Sequence, residues 1–243
     1  MIKHIFILWF QGFEQAPEIV KKCLNSWIYY NPDWKIIQLN ESNLHEWVDI
    51  NEWKKEGMLL CHLSDMIRIF LLEKYGGVWV DSTLFCNRPL TQWLPNYIQS
   101  GFFGFSRPSN DYILSSWFLY SEPNHVICRK IGERISIYFR QVENMKKVNY
   151  LILHDIINEL YQTNKEVKEE LDKMTFFHSG ISIFGGIGPL FLSAIDLFNR
   201  CTPEIDLIIQ CQLIPVFKLT YKCDYSKNRE DTIISHLFRT ISL

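Results

Sequence analysis

The chain has 243 residues, 47% hydrophobic and 15% aromatic, which is enough for a sizeable core and lies outside the composition of disordered chains. Its 25 basic and 27 acidic residues leave a net charge of −2, which excludes a general nucleic-acid binder with the usual basic surface. The seven cysteines, Cys23, Cys61, Cys86, Cys128, Cys201, Cys211 and Cys223, are odd in number and form no Cys-x-x-Cys; reduced thiols in a cytoplasmic protein are expected, not a disulfide framework or a zinc site.

Met1–Leu8 is short and strand-like and lacks a signal-peptide cleavage pattern. Lys3–Phe10 reads as a buried strand closed by Gln11-Gly12. Pro17–Tyr30 reads as a helix, with Pro17 in its first turn and Ile19, Val20, Cys23, Leu24, Trp27 and Ile28 at helical spacing. Asn31-Pro32-Asp33 stops it, and Trp34–Leu39 is a second strand. Strand, helix and strand at this length form a right-handed βαβ crossover, here without a G-x-G-x-x-G fingerprint. Asn40–Lys55 reads as a polar helix, and Glu56–His62 leads into the segment with the most chemistry.

That segment is Ser64–Thr83. Ser64 suits an N-cap, with Asp65 in the first turn, and Met66, Ile67, Ile69, Phe70, Leu71 and Leu72 give a broad apolar face. Tyr75-Gly76-Gly77 ends the helix. Val78-Trp79-Val80 reads as a short buried strand, with Asp81-Ser82-Thr83 at its carboxyl end, where open α/β sheets bind ligands. Asp65 and Arg68 project from one helical face, and a tight Gly-Gly return brings that face toward Asp81. Two carboxylates, a guanidinium and two hydroxyls suit a polyhydroxylated, phosphate-bearing ligand with a divalent cation. A structural Asp–Arg pair, with Asp81 closing a turn, accounts for the same spacing equally well.

Beyond it, Leu84–Cys86 continues extended, Gly101–Phe105 is a strand, Ser106–Asp111 a loop and Ile113–Tyr120 an apolar run. Glu122–His125 caps a helix over Val126–Glu143. Tyr150–Tyr161 is a helix carrying His154-Asp155, and Asn164–Lys173 is a solvated, charge-rich helix. Met174–Ile195 lacks Asp, Glu, Lys and Arg for 22 residues, yet its glycines and Pro189 fit loops around a short strand better than a membrane span. Gly185–Pro189 reads as a tight turn or an anion nest. Val216–Tyr221 is a late strand. Lys218 and Lys222 are candidate cations for a diphosphate, although solvation is the simpler reading of each. His236 falls in a short C-terminal helix.

The pattern S-D-x-x-R-x-x-x-L-x-x-x-G-G-x-x-x-D, met by Ser64, Asp65, Arg68, Leu72, Gly76, Gly77 and Asp81, resembles the core motif of glycosyltransferases with a sugar-binding Asp-x-Asp. Among these, bacterial capsular polysaccharide synthesis proteins are the most similar, with further matches at Ile5–Gly12, Pro17–Trp27, Asn31–Asp33, Phe103–Pro108 and Pro215–Lys222. The resemblance implies an α/β fold of the GT-A type: a Rossmann-like mixed, mostly parallel sheet with flanking helices and a helical C-terminal part. It implies one domain over residues 1–243, with a nucleotide-sugar-binding half, 1–123, and an acceptor-side half, 124–243. The implied reaction is hexosyl transfer from a nucleotide-sugar donor, UDP-linked, to an oligosaccharide or lipid-linked glycan acceptor in capsule or surface polysaccharide synthesis. That acceptor implies peripheral association with the inner face of a membrane.

The implied catalytic set is Asp65, Arg68, Asp81 and His154. Trp9 would stack on the base, and Asp65, Arg68, Gly77, Asp81, Ser82 and Ser116 would contact the donor. Asp81 and Thr83 would hold a divalent cation, Mn²⁺ or Mg²⁺. Thr83 stands where the motif has its second aspartate, so the cation would be held more weakly. The same departure keeps open a non-catalytic subunit that binds glycan or nucleotide.

Overall fold

The computed structural model describes residues 1–51, 53–179 and 197–241. Strand β1 (His4–Leu8) pairs in parallel with β2 (Lys35–Leu39) on one side and β3 (Gly77–Asp81) on the other. Strands β5 (Phe102–Ser109) and β6 (Tyr112–Ser121) form an antiparallel hairpin, and β6 runs antiparallel to β3. The order β2-β1-β3-β6-β5 is thus parallel at one edge and antiparallel at the other. Strand β4 (Leu84–Cys86) leaves this sheet and pairs antiparallel with β7 (Val216–Lys218). This is the expected α/β class, a mixed sheet with helices on both faces.

The apolar runs follow from that double cover, because a strand buried on both faces has no polar side to display. Ile5, Ile7, Val78 and Val80 join one core with Trp27 of α1 (Glu18–Tyr30). Phe6, Leu8 and Trp79 join the other core, with α2 (Leu60–Tyr75), α3 (Val126–Gln141), α4 (Ile152–Thr163) and α5 (Lys165–Lys173). The Trp27 indole is fully buried and donates to the Leu84 carbonyl at 2.7 Å, fixing α1 against β4. Helices α6 (Pro203–Gln210) and α7 (Ile233–Arg239) complete the C-terminal part.

Three expectations are corrected. Helix α2 begins at Leu60, not at Ser64, because buried His62 and Leu63 extend its apolar face; Ser64 Oγ accepts from Arg68 instead of capping. Among its described residues, Asn40–Lys55 is not a helix. Asn40 Oδ1 accepts from the backbone of Ser42 and Asn43, a local turn that competes with helical bonding, and only Leu44–Glu46 forms a 3₁₀ turn. The predicted loop after Phe105 is strand as far as Ser109.

Gly76 ends α2 at φ +63°, and Gly77 follows at φ +102°. A Cβ on Gly77 would lie 2.7 Å from the His4 carbonyl oxygen, so only glycine allows β3 to start this close to β1. The Gly185–Pro189 turn lies outside the described residues. Among the described residues, no helix is long and apolar enough to cross a membrane.

Candidate active site

The parallel register sets Leu8 opposite Asp81, so both strands deliver their carboxyl ends to one place. Asp81 there meets Arg68 from the middle of α2, with Nη1 3.3 Å from Asp81 Oδ1. Arg68 Nη2 also lies 3.1 Å from Asp65 Oδ1, one turn back on the helix. The Trp79 indole donates to Asp81 Oδ1 at 3.1 Å. The opposite carboxylate oxygen, Oδ2, accepts from Lys218 Nζ at 2.9 Å.

Lys218 is not the solvated side chain that the sequence suggests. The β4–β7 pairing places it opposite Leu84, and Leu219 N donates to the Thr83 carbonyl at 2.9 Å. Its ammonium donates to Thr83 Oγ1 at 2.7 Å as well as to Asp81. Lys222, by contrast, is exposed.

Arg68 is 5% exposed, and each of its nitrogens has a partner. Nε donates to the Ser64 carbonyl, Nη1 to the Ser116 carbonyl at 2.6 Å, and Nη2 to Ser64 Oγ. The guanidinium also lies 5.1 Å above the Trp79 ring. Arg68 therefore acts first as the piece that joins α2, β3 and β6 and holds two carboxylates together.

The charges separate the two aspartates. Burial raises the Asp81 carboxyl, but Lys218 and then Arg68 outweigh it and hold the group at about 2. Burial raises Asp65 to about 7, against the pull of Arg68 and with added repulsion from Asp81. Burial likewise lowers His154 to about 4, aided by Arg68. At neutral pH the site thus contains a firmly ionised carboxylate, a carboxyl poised to exchange a proton, and a neutral imidazole. His154 Nδ1 is buried without a hydrogen bond among the described residues.

These groups line a cavity of about 640 Å³. Trp9, Ser82, Thr83, Ser116 and His154 line it together with the Asp65–Arg68–Asp81 cluster. Gly77 does not. It sits at the amino end of β3, and its role is the close approach to His4. Trp9 packs edge-on against Tyr221 at 5.4 Å, and exposed Tyr150 stands on the same cavity wall. The tyrosines and the contacts of Lys218 were not legible in sequence, though Lys218 and Tyr221 both lie in the late segment Pro215–Lys222.

The residues fit a divalent cation poorly. Asp81 and Thr83 are the oxygen groups expected to hold it, and the Lys218 ammonium already bridges them. A dication between the same oxygens would meet that positive charge at contact distance. His236 lies elsewhere: its Nδ1 is 2.7 Å from Asp206 Oδ1, near Cys201, and none of these three lines the cavity.

Fold and site together define an α/β protein with a charged cavity at the carboxyl ends of parallel strands, the usual place for a ligand in such sheets. Residues 1–237 match the family of capsular polysaccharide synthesis proteins, and the chain belongs to that family. It is also similar to the O-glycosyltransferase braB of Annulohypoxylon truncatum, 25% identical over 226 residues, covering 84% of this chain and 52% of that protein. The chain therefore spans about half the length of this curated relative. Among solved structures it is similar to PaToxG Glycosyltransferase, with a TM-score of 0.48 and 15% identity, over 99% of this chain and 86% of that one.

Proposed function

We propose that the chain is a glycosyltransferase that moves a hexose from a nucleotide-sugar donor, UDP-linked, to a glycan acceptor in capsular or surface polysaccharide synthesis. The observation that carries this reading is the strand-end cluster of Asp81, Arg68, Asp65 and Lys218 lining a cavity of about 640 Å³. Membership of the capsular family and likeness to an O-glycosyltransferase support it.

In this reading Trp9 and Tyr221 flank the base, since aromatic faces and edges give apolar area and orientation to a flat ring. Asp81 accepts hydrogen bonds from donor hydroxyls, and Arg68 keeps it and Asp65 in place. Ser82 and Ser116 contact the donor, and Asp65 binds sugar hydroxyls. His154, neutral and with no hydrogen bond on Nδ1 among the described residues, serves the acceptor side. Residues 1–123 supply most of the donor site, while Lys218, Tyr221 and the acceptor wall come from 124–243. A lipid-linked acceptor would bring the chain to the inner face of a membrane, and seven free thiols suit that reducing compartment.

The test is release of nucleoside diphosphate from a panel of nucleotide sugars, with cell-surface glycan as acceptor. Turnover of one donor that falls about 100-fold or more in Asp81→Ala is the expected result, the size seen when a group acting on transition-state charge is removed. Donor binding without turnover would instead favour a non-catalytic subunit.

A further inference from the structure

Lys218 pairs with Asp81 and Thr83 at the cavity. It projects from the end of a three-residue strand, its side chain is 16% exposed, and it faces the cavity. Its neighbours in sequence, Phe217 and Leu219, are buried apolar residues that anchor the strand in one core. Backbone pairing of β7 with β4 sets its position, and β4 starts directly after Asp81-Ser82-Thr83. The cation and the two oxygen groups are therefore held by one local piece of backbone, although 137 residues separate Lys218 from Asp81.

An ammonium carries three N–H donors. Two are directed at Asp81 Oδ2 and Thr83 Oγ1, at 2.9 and 2.7 Å, which leaves one with no partner among the described residues. Threonine at position 83 is part of the same arrangement. A second aspartate there would place two carboxylates on one ammonium, whereas a neutral hydroxyl leaves the pair balanced and the ammonium able to serve an incoming anion.

We infer that Lys218 is the built-in cation of this site: it occupies the place of a divalent metal between Asp81 and Thr83, and its remaining N–H binds the diphosphate of the donor. The inference rests on the glycosyltransferase reading above. During transfer the bond from the sugar C1 to the diphosphate oxygen breaks, and its electron pair stays on that oxygen. The acceptor oxygen bonds to C1, and its proton passes to the departing phosphate. Negative charge thus builds on the diphosphate, and a fixed cation in a partly dry cavity stabilises it without reorganisation. Lys218 is then a catalytic residue, and divalent metal is dispensable.

The test measures turnover of the donor in EDTA and across a Mn²⁺ titration, together with Mn²⁺ binding by electron paramagnetic resonance. Wild type, Lys218→Ala, Lys218→Gln and Lys218→Arg are compared. Wild-type kcat should stay within about twofold in EDTA, and the wild type should bind no Mn²⁺ tightly with donor present. Lys218→Ala and Lys218→Gln should lose about 100-fold in kcat, with KM changed much less, and Lys218→Arg should recover at least a tenth of wild-type kcat. A merely structural lysine would not produce that split or make turnover independent of metal. Wild-type turnover that EDTA abolishes and Mn²⁺ restores would overturn the inference and leave the transferase reading intact. Lys218→Ala or Lys218→Gln with kcat within threefold of wild type would do the same. No donor binding and no turnover by the folded wild type would overturn both. The EDTA arm needs no variant, so it decides even if a substitution fails to fold.

Discussion

Two aspartates one salt bridge apart behave as different acids because their surroundings differ. Asp81 has two cations against it and stays ionised; Asp65 shares one of them and is more deeply buried. The folded chain keeps the Asp65 proton to about pH 7, whereas the unfolded chain releases it near 3.8. Folded protein thus binds more protons in between, and this group's contribution to stability falls as pH rises from about 4 to 7. His154 works in the opposite sense, because the unfolded chain protonates near 6.5 and the folded chain near 4. Asp65→Asn removes the first slope and leaves the second. Its urea midpoint should therefore gain on the wild type between pH 5 and pH 7, and parallel profiles would contradict the assignment. Arg68→Ala leaves both carboxylates without their shared partner, and breaking such a buried pair costs about 3–5 kcal/mol. Equilibrium urea unfolding reads that loss; a normal midpoint would mean that Arg68 is not the clasp described here. The Asp65–Arg68–Asp81 grouping was legible because helical spacing and a Gly-Gly turn are local signals. The place of Lys218 was not, since strand pairing across 137 residues leaves no mark in the nearby sequence.

The elements read best where one periodicity dominated. The apolar spacing of α1 gave its ends to within one residue, and the run of β1 gave that strand to within two residues at either end. Boundaries failed where two signals competed. At Ser64 a good capping residue sits inside an apolar face that begins earlier, and burial of that face outweighs the cap. At Asn40 a side-chain turn outweighs a weak helical pattern. The turn joining α2 to β3 is the most exacting joint, because it must reverse the chain while β3 lies against β1. Gly77→Ala forces a Cβ to within 2.7 Å of the His4 carbonyl at a φ of +102°. Overpacking and backbone strain of this kind cost about 1–3 kcal/mol each. The variant should melt clearly lower, and because Gly77 lies outside the cavity, its donor affinity at low temperature should stay near wild type.

At the scale of the whole molecule, the sheet divides the work. Its parallel edge aligns β1 and β3 so that Asp81 and Trp9 emerge together, and the antiparallel hairpin β5–β6 brings Ser116 to Arg68. The small β4–β7 sheet returns the C-terminal part of the chain to the same place. The fold class was legible because alternating strand and helix patterns leave few ways to arrange a doubly covered sheet. The cavity wall contributed by Tyr150 and Tyr221 depends on how distant segments meet, which no single stretch encodes.

The proposed binding of a nucleotide sugar at Asp81 is read by thermal melting with a panel of such donors, wild type beside Asp81→Ala. A ligand bound only by folded protein at 100 times its Kd adds about 2.7 kcal/mol, or roughly 5–10 °C in Tm for a chain of this size. One donor should raise the wild-type Tm by about that much and leave Asp81→Ala nearly unmoved. A well-folded wild type that no nucleotide sugar stabilises, or equal stabilisation of both proteins, would contradict it.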